Sequence, residues 1–176
     1  KQFENKKNKY KYMSLLKPEQ LNKLNQQMNT QFQKAFFDLL EEKVRQETPD
    51  YDWIARLYEE IRTRLASLLR EGSVVRKEIE ESMDVVLFRQ MIENKAFGGS
   101  ELYNLINLVF EWCKKLGSPA RDNEVEKFKF QVLGLMKNNG TFAQIVPLFI
   151  KNANECIDNI YKDLRQVKEN MEKLKK

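Results

Sequence analysis

The 176-residue chain contains no histidine, two cysteines, six glycines and four prolines. Without histidine it lacks the commonest general base and the commonest metal ligand of proteins. Cys113 and Cys156 are too few for a four-thiolate metal site or a disulfide framework. No apolar run approaches the roughly 18–20 residues that a membrane-spanning helix needs. These deficits point away from most enzymes, so we predict a non-enzymatic protein with no catalytic residue, metal or cofactor.

No basic segment followed by an apolar one marks a secretory signal, although the chain begins at Lys1 rather than at Met. Only two thiols are present, which suits a reducing compartment. We therefore expect an intracellular, cytoplasmic protein.

The net charge of +5 is concentrated at the two ends of the chain. Residues 1–17 hold six basic and one acidic residue, residues 162–176 hold six and three, and residues 18–161 hold 19 and 22. We therefore predict a basic N-terminal extension (1–17), a helical body (18–161) and the basic end of a C-terminal helix (162–176). Basic ends suit solvated termini, and the alternative is a nucleic-acid-binding helical module that uses them. Because no nucleic-acid motif is present, nucleic acid is not the partner we expect.

Apolar residues recur at spacings of three and four along most of the chain, and no long segment alternates as a strand does. We therefore predict an all-α fold, a multi-helix bundle of five to seven helices with a long C-terminal helix. The few glycines and prolines, together with capping residues, divide this apolar pattern into separate helices. The predicted helices are 18–46, 51–71, 74–96, 101–116 and 119–137, followed by one that starts after Thr141.

Several residues predict where these helices begin or change direction. Asp50, Ser73 and Ser118 precede apolar periods and can cap them. Thr141 has a glutamine three residues on, the spacing of a capping box. Pro147, within the last helix, predicts a kink or a restart there. Gly98-Gly99 and Ser100 predict a turn and a new cap.

The last helix carries a heptad seam, in which apolar residues alternate between steps of three and four. One interpretation is a terminal helix that packs on its own bundle. The other is a coiled-coil contact, which would make the chain an oligomerisation or structural protein. The residues of a dimer contact would be Ile157, Ile160, Leu164, Val167, Met171 and Leu174.

A cluster of carboxylates in the predicted helix 74–96 could suggest metal ligation. Pairs such as Glu80/Asp84 would share a helix face, but helical metal sites usually add histidine. Arg76 and Glu80 are four residues apart, the geometry of a surface ion pair, which we favour over a metal site. Arg76 and Glu80 are candidate partner contacts.

Arg121 and Asp122 follow Ser118-Pro119 and fall in a first helical turn. Asp122 is favoured there by the helix dipole. Arg121 could bind a carboxylate or phosphate of a partner, or could form an internal salt bridge that fixes the preceding loop. Both residues are kept as candidate partner contacts.

Four collinear segments stand out between about residues 30 and 161. They are Ala35-Phe36-Phe37-Asp38, Glu78-Ile79-Glu80-Glu81 with Asp84, Ser118-Pro119-Ala120-Arg121-Asp122, and Phe130-Gln131-Val132-Leu133-Gly134-Leu135-Met136-Lys137. Together these segments resemble the T-complex protein 11 family, and the segment that starts at Phe130 is the most specific of them.

The resemblance implies a eukaryotic, helical protein of a family without assigned catalytic residues. Members of that family are associated with cAMP-dependent protein kinase signalling and, in mammals, with sperm motility and capacitation. The resemblance therefore implies a regulatory or scaffolding role through protein contacts. It also implies a longer domain, of which this chain resembles the first part. Family members have a longer connection before Phe130, so either this chain has a real deletion there or a loop is absent between Lys127 and Phe130. We expect the absent loop, and no dependable helix through 125–132.

Overall fold

The computed structural model describes residues 18–95 and 100–175. These residues form seven α-helices and one short 3-10 helix, without a strand, which confirms the predicted all-α bundle and its long C-terminal helix. The basic extension 1–17 and the Gly98-Gly99 turn lie outside the described residues. The helices are α1 (Pro18–Arg45), α2 (Tyr51–Ala66), α3 (Val74–Ser82), α4 (Val85–Glu93), α5 (Ser100–Leu116), the 3-10 helix (Pro119–Arg121), α6 (Asp122–Lys137) and α7 (Phe142–Leu174).

The chain divides into two compact units, Lys1–Leu40 and Glu41–Lys176. The described part of the first unit is most of α1, where Phe36 and Phe37 meet edge to face at 5.2 Å between ring centroids. The second unit contains the bundle of α2 to α7. The predicted domain boundaries near residues 17 and 161 stay predictions.

The predicted capping residues begin the helices of the bundle. Asp50 Oδ1 accepts a hydrogen bond from Trp53 N at 3.0 Å, and Ser73 Oγ accepts one from Arg76 N at 3.3 Å. Gln144 Oε1 accepts one from Thr141 N at 2.9 Å. Each bond satisfies a backbone N–H near a helix start that has no partner within the helix.

The prediction of one helix over 74–96 is wrong, because the segment forms α3 and α4. Asp84 starts α4 by accepting a hydrogen bond from Leu87 N at 2.9 Å. Capping by its side chain competes with helix continuation, and the break buries Met83. Glu80 and Asp84 therefore do not share a continuous helix, which removes the geometry considered for a metal pair.

Two other helices differ from the prediction. α2 ends at Ala66, and the following turn reaches Gly72, whose φ of 78° suits glycine. Residues 122–137 form one uninterrupted helix, with Val125 and Val132 buried on the same side seven residues apart. The absent loop before Phe130 stays a prediction.

Pro147 does not restart the last helix, which runs through it as α7. A proline inside a helix removes one backbone N–H from the hydrogen-bond ladder, and the kink expected at Pro147 stays a prediction. Pro147 is buried, so the apolar ring contributes to packing.

Aromatic side chains from four helices form the centre of the bundle. Tyr58 of α2 stacks on Phe88 of α4 at 4.2 Å, and Phe149 of α7 lies 6.3 Å from both rings. Phe110 of α5 meets Phe149 edge to face at 6.1 Å. Such ring geometry adds to the stabilisation from apolar burial, so this cluster fixes how α2, α4, α5 and α7 pack.

The described residues contain neither a helix that could span a membrane nor a metal-binding cluster of side chains. No described helix combines the length and apolar character that a membrane crossing requires. Across 18–95 and 100–175, no three His, Cys, Asp or Glu side chains are grouped so that they could hold a metal ion.

Candidate protein-interaction surfaces

Arg76 and Glu80 lie beside a depression between two helices, which we name the α2–α3 groove. It encloses about 210 Å³ and is lined by Arg62, Thr63, Ala66, Arg76 and Glu80. The side chains of Arg62 and Arg76 are 27% and 23% exposed. Both guanidinium groups are therefore largely fixed by the protein, yet reachable from solvent.

Each arginine of the groove reaches a backbone carbonyl of the opposite helix region. Arg76 Nη1 donates to Leu69 O in the turn after α2 at 3.3 Å. Arg62 Nη1 donates to Glu80 O near the end of α3 at 3.4 Å. Carbonyls near a helix end lack a partner within the helix, so the two arginines cap these ends reciprocally.

Arg62 and Arg76 form only weak surface pairs, with the carboxylates of Glu59 and Glu80. Arg76 Nε donates to Glu80 Oε1 at 3.1 Å, and Arg62 Nη2 lies 3.4 Å from Glu59 Oε1. Both pairs join residues three or four apart on one helix, with the acid about half exposed. Such surface pairs stabilise a helix by roughly 0.2–0.5 kcal/mol, so solvent or a ligand can replace them at little cost.

Arg121 lies elsewhere, at a second cluster that we name the Arg121 junction: Arg121, Glu124, Asn159 and Asp163. Arg121 binds Asp163 through two parallel hydrogen bonds, Nε to Oδ2 at 2.6 Å and Nη2 to Oδ1 at 2.8 Å. Its Nη1 donates to Glu124 Oε2 at 2.9 Å, and Asn159 donates to Glu124 Oε1 at 3.2 Å. The junction ties the start of α6 to α7.

The internal salt bridge of Arg121 is thus present, and contact of Arg121 or Asp122 with a partner stays a prediction. Asp122 is half-buried at the first position of α6, where its negative charge faces the positive end of the helix dipole. The two hydrogen bonds from Arg121 hold the pKa of the Asp163 carboxyl below its usual range. Both partners are therefore charged at neutral pH.

The chain packs closely next to the junction. A Cβ atom on Gly117 would lie 2.8 Å from Cys113 O and 3.4 Å from Ile160 Cγ1. Cys113 of α5 and Cys156 of α7 are buried side by side there, and a hydrogen bond to Cys156 together with burial raises the pKa of the Cys113 thiol. A side chain added at Gly117 would therefore force the neighbouring backbone to shift.

The heptad seam of α7 divides into a buried half and an exposed half. Ala153, Ile157 and Ile160 are buried, with Ile160 only 5% exposed. The predicted dimer contact is therefore wrong for Ile157 and Ile160, because the chain's own bundle covers them. Beyond Ile160 the seam is exposed in the segment 161–175, which we name the α7 tail: Leu164 is 51%, Val167 55%, Met171 56% and Leu174 87% exposed.

The structure brings Arg76 together with Glu80 but places Arg121 and Asp122 on a different surface. Sequence reasoning missed Arg62 and Asp163, the residues that distinguish the two sites. Asp163 directly precedes Leu164 of the heptad seam. Positions that flank such a seam often carry interhelical ion pairs, and this spacing is the sequence signal that could have identified Asp163. Arg62 gave no such signal, because a basic residue late in α2 is already explained by the helix dipole.

Sequence comparisons give relatives for most of the chain. A family model described as T-complex protein 11 matches residues 13–175. The human T-complex protein 11 homolog is 34% identical over 116 residues, which cover 58% of this chain and 22% of the relative. The human T-complex protein 11-like X-linked proteins 1 and 2 are each 29% identical over 116 residues, with the same coverage. The matched part of the chain spans about a fifth of the length of these relatives. No solved structure matches it.

Proposed function

Because the chain belongs to the T-complex protein 11 family, we propose that it is a non-enzymatic helical interaction domain in signalling linked to cAMP-dependent protein kinase. The observation that carries the proposal is the family match, which extends over residues 13–175. The role is regulatory or scaffolding, and it is exercised through protein contacts in the cytoplasm of a eukaryotic cell.

The described surface supports contact with a protein. The α2–α3 groove presents two guanidinium groups with weak internal partners, and Arg is enriched at the centres of protein interfaces. Arg76 and Glu80 are the proposed partner contacts there. Arg121 and Asp122 are proposed as contacts of lower accessibility, because the internal pair with Asp163 occupies Arg121.

Direct binding to the kinase tests this function. The purified chain is titrated by surface plasmon resonance with isolated regulatory and catalytic subunits of cAMP-dependent protein kinase, at about 150 mM salt. We expect saturable binding to one of them. Arg76→Glu should weaken it about tenfold or more, because it reverses a charge at the interface. Absence of binding to both subunits at up to about 100 μM would reject the link to this kinase.

A second candidate function is self-association through the α7 tail, which the exposed seam favours. Leu164, Val167, Met171 and Leu174 continue the coiled-coil spacing without cover from the described bundle. Sedimentation equilibrium of the chain and of a Val167→Glu, Met171→Glu double variant tests it. A dimer mass that the double variant loses is expected. A monomer mass for the unmodified chain at about 100 μM would rule the dimer out.

A further inference from the structure

The two arginines of the α2–α3 groove have hydrogen-bonding capacity that the described residues do not fill. A guanidinium group carries five N–H donors. Arg62 and Arg76 together make four hydrogen bonds within the described chain, all between 3.1 and 3.4 Å. Arg121, in contrast, makes three between 2.6 and 2.9 Å. The groove therefore retains donors for an external acceptor.

The two guanidinium groups also converge on one place. Both contact Glu80, Arg62 at the backbone oxygen and Arg76 at the carboxylate. Their bonds to backbone carbonyls on opposite sides of the groove hold the two long side chains in position. Such preorganisation lowers the entropy that binding would otherwise cost.

The chemistry of the groove suits a phosphoryl group better than a carboxylate. Glu80 and Glu59 already supply one carboxylate each to Arg76 and Arg62, so a further group of single charge would only replace a partner that is present. A phosphorylated side chain carries a charge of about −1.5 to −2 and three strong acceptor oxygens, which match two guanidinium groups. Glu80, 47% exposed, can turn into solvent as the phosphoryl group enters.

From these contacts we propose that the α2–α3 groove binds the phosphoryl group of a phosphorylated side chain on a partner protein. Arg62 and Arg76 hold its oxygens, and Glu80 occupies Arg76 when no phosphoryl group is bound. This inference rests on the proposed function as a protein-interaction domain, and adds the chemistry by which the partner is recognised.

Inorganic phosphate is the probe for the test. Backbone amide NMR shifts of the folded chain are followed during a phosphate titration at constant ionic strength. We expect saturable shifts at residues that line the groove. Arg76→Gln and Arg62→Gln should each weaken binding about tenfold or more, the loss of a charge-assisted hydrogen bond. Glu80→Gln should strengthen it, because the competing carboxylate is gone.

Arg70→Gln is the matched control, because Arg70 is exposed and does not line the groove. It removes the same charge and should change the affinity less than twofold. The thermal midpoint of every variant establishes that it is folded. Acetate at the same ionic strength should bind about tenfold more weakly than phosphate or worse.

Three results would overturn the proposal: no saturable shifts at the groove, equal loss of binding in Arg70→Gln, or acetate binding as tight as phosphate. Kinase binding is measured separately, so the two ideas fail independently. Phosphate binding without kinase binding would support the phosphoryl site and reject the link to the kinase. Kinase binding without phosphate binding would support the link to the kinase and reject the phosphoryl site.

Discussion

The Arg121 junction and the α2–α3 groove contain the same side-chain type in two different states. Arg121 is held by a bidentate bond to Asp163 and a further bond to Glu124, all at 2.9 Å or less. Arg62 and Arg76 make longer bonds, half of them to backbone carbonyls. An arginine paired with a carboxylate of another helix stabilises the fold through that ion pair. An arginine held mainly by backbone carbonyls keeps its positive charge available to a ligand.

The close packing beside the junction gives the largest expected effect on stability. Gly117→Ala would place a Cβ atom 2.8 Å from Cys113 O, so backbone must shift. We expect a loss of about 1–3 kcal/mol, the usual cost of overpacking, measured by urea unfolding.

The matched control is Gly134→Ala, because Gly134 lies inside α6 with no atom within 4 Å of an added Cβ. Alanine is the better helix former, so this change should add about 0.5–1 kcal/mol. Equal effects of the two substitutions would contradict the packing described at Gly117.

The two arginine sites should differ in their contribution to stability. Arg121→Met removes three charge-assisted hydrogen bonds, and Arg121 is 28% exposed, so solvent screens part of the loss. We expect a fall in the thermal midpoint of about 2–4 °C, equivalent to roughly 1 kcal/mol in a chain of this size.

Arg76→Met is the comparison within the groove, where the ion pair and the carbonyl bond are weak. Its midpoint should fall by less than about 2 °C. We call the Arg121 junction the closed arginine site and the α2–α3 groove the open one. This division would be wrong if differential scanning calorimetry showed Arg76→Met to be more destabilising than Arg121→Met.

Lowering the pH should reduce the difference in thermal midpoint between the unmodified chain and the Arg121→Met variant. The pKa of Asp163 is lowered in the folded chain, so the unfolded chain takes up this proton at a higher pH. The stabilisation from the pair is thus present above about pH 4 and is lost as the pH falls below it. The midpoints of the unmodified chain and Arg121→Met should therefore converge as the pH is lowered below about 4. A difference that stays constant would contradict the ion pair.

Local sequence signals predicted the helix starts well where a capping residue stands directly before an apolar period. Asp50, Ser73 and Thr141 each start a helix as expected. Asp84 was missed, because the apolar period continues across it and only tertiary burial of Met83 makes the break favourable. Tertiary packing decides whether a residue such as Asp84 caps a new helix or continues the old one, and the spacing of apolar residues does not reveal that packing.

The candidate site was predicted only in part, for a related reason. Arg121 and Asp163 are 42 residues apart, so no local spacing identifies them as partners. The heptad seam of α7 looks uniform in sequence, yet its residues are buried up to Ile160 and exposed from Leu164 onward. Periodicity shows which face of a helix is apolar, and it does not show what lies against that face.

The side-chain Nε–H signals of arginine report on both clusters in a single NMR experiment. Arg121 Nε donates to Asp163 at 2.6 Å, whereas Arg76 Nε donates to the exposed Glu80 at 3.1 Å. We predict slow hydrogen exchange for Arg121 and no response to inorganic phosphate, together with fast exchange and phosphate-dependent shifts for Arg62 and Arg76. Equal exchange rates for the three arginines, or a phosphate response confined to Arg121, would contradict the assignment of one closed and one open arginine site.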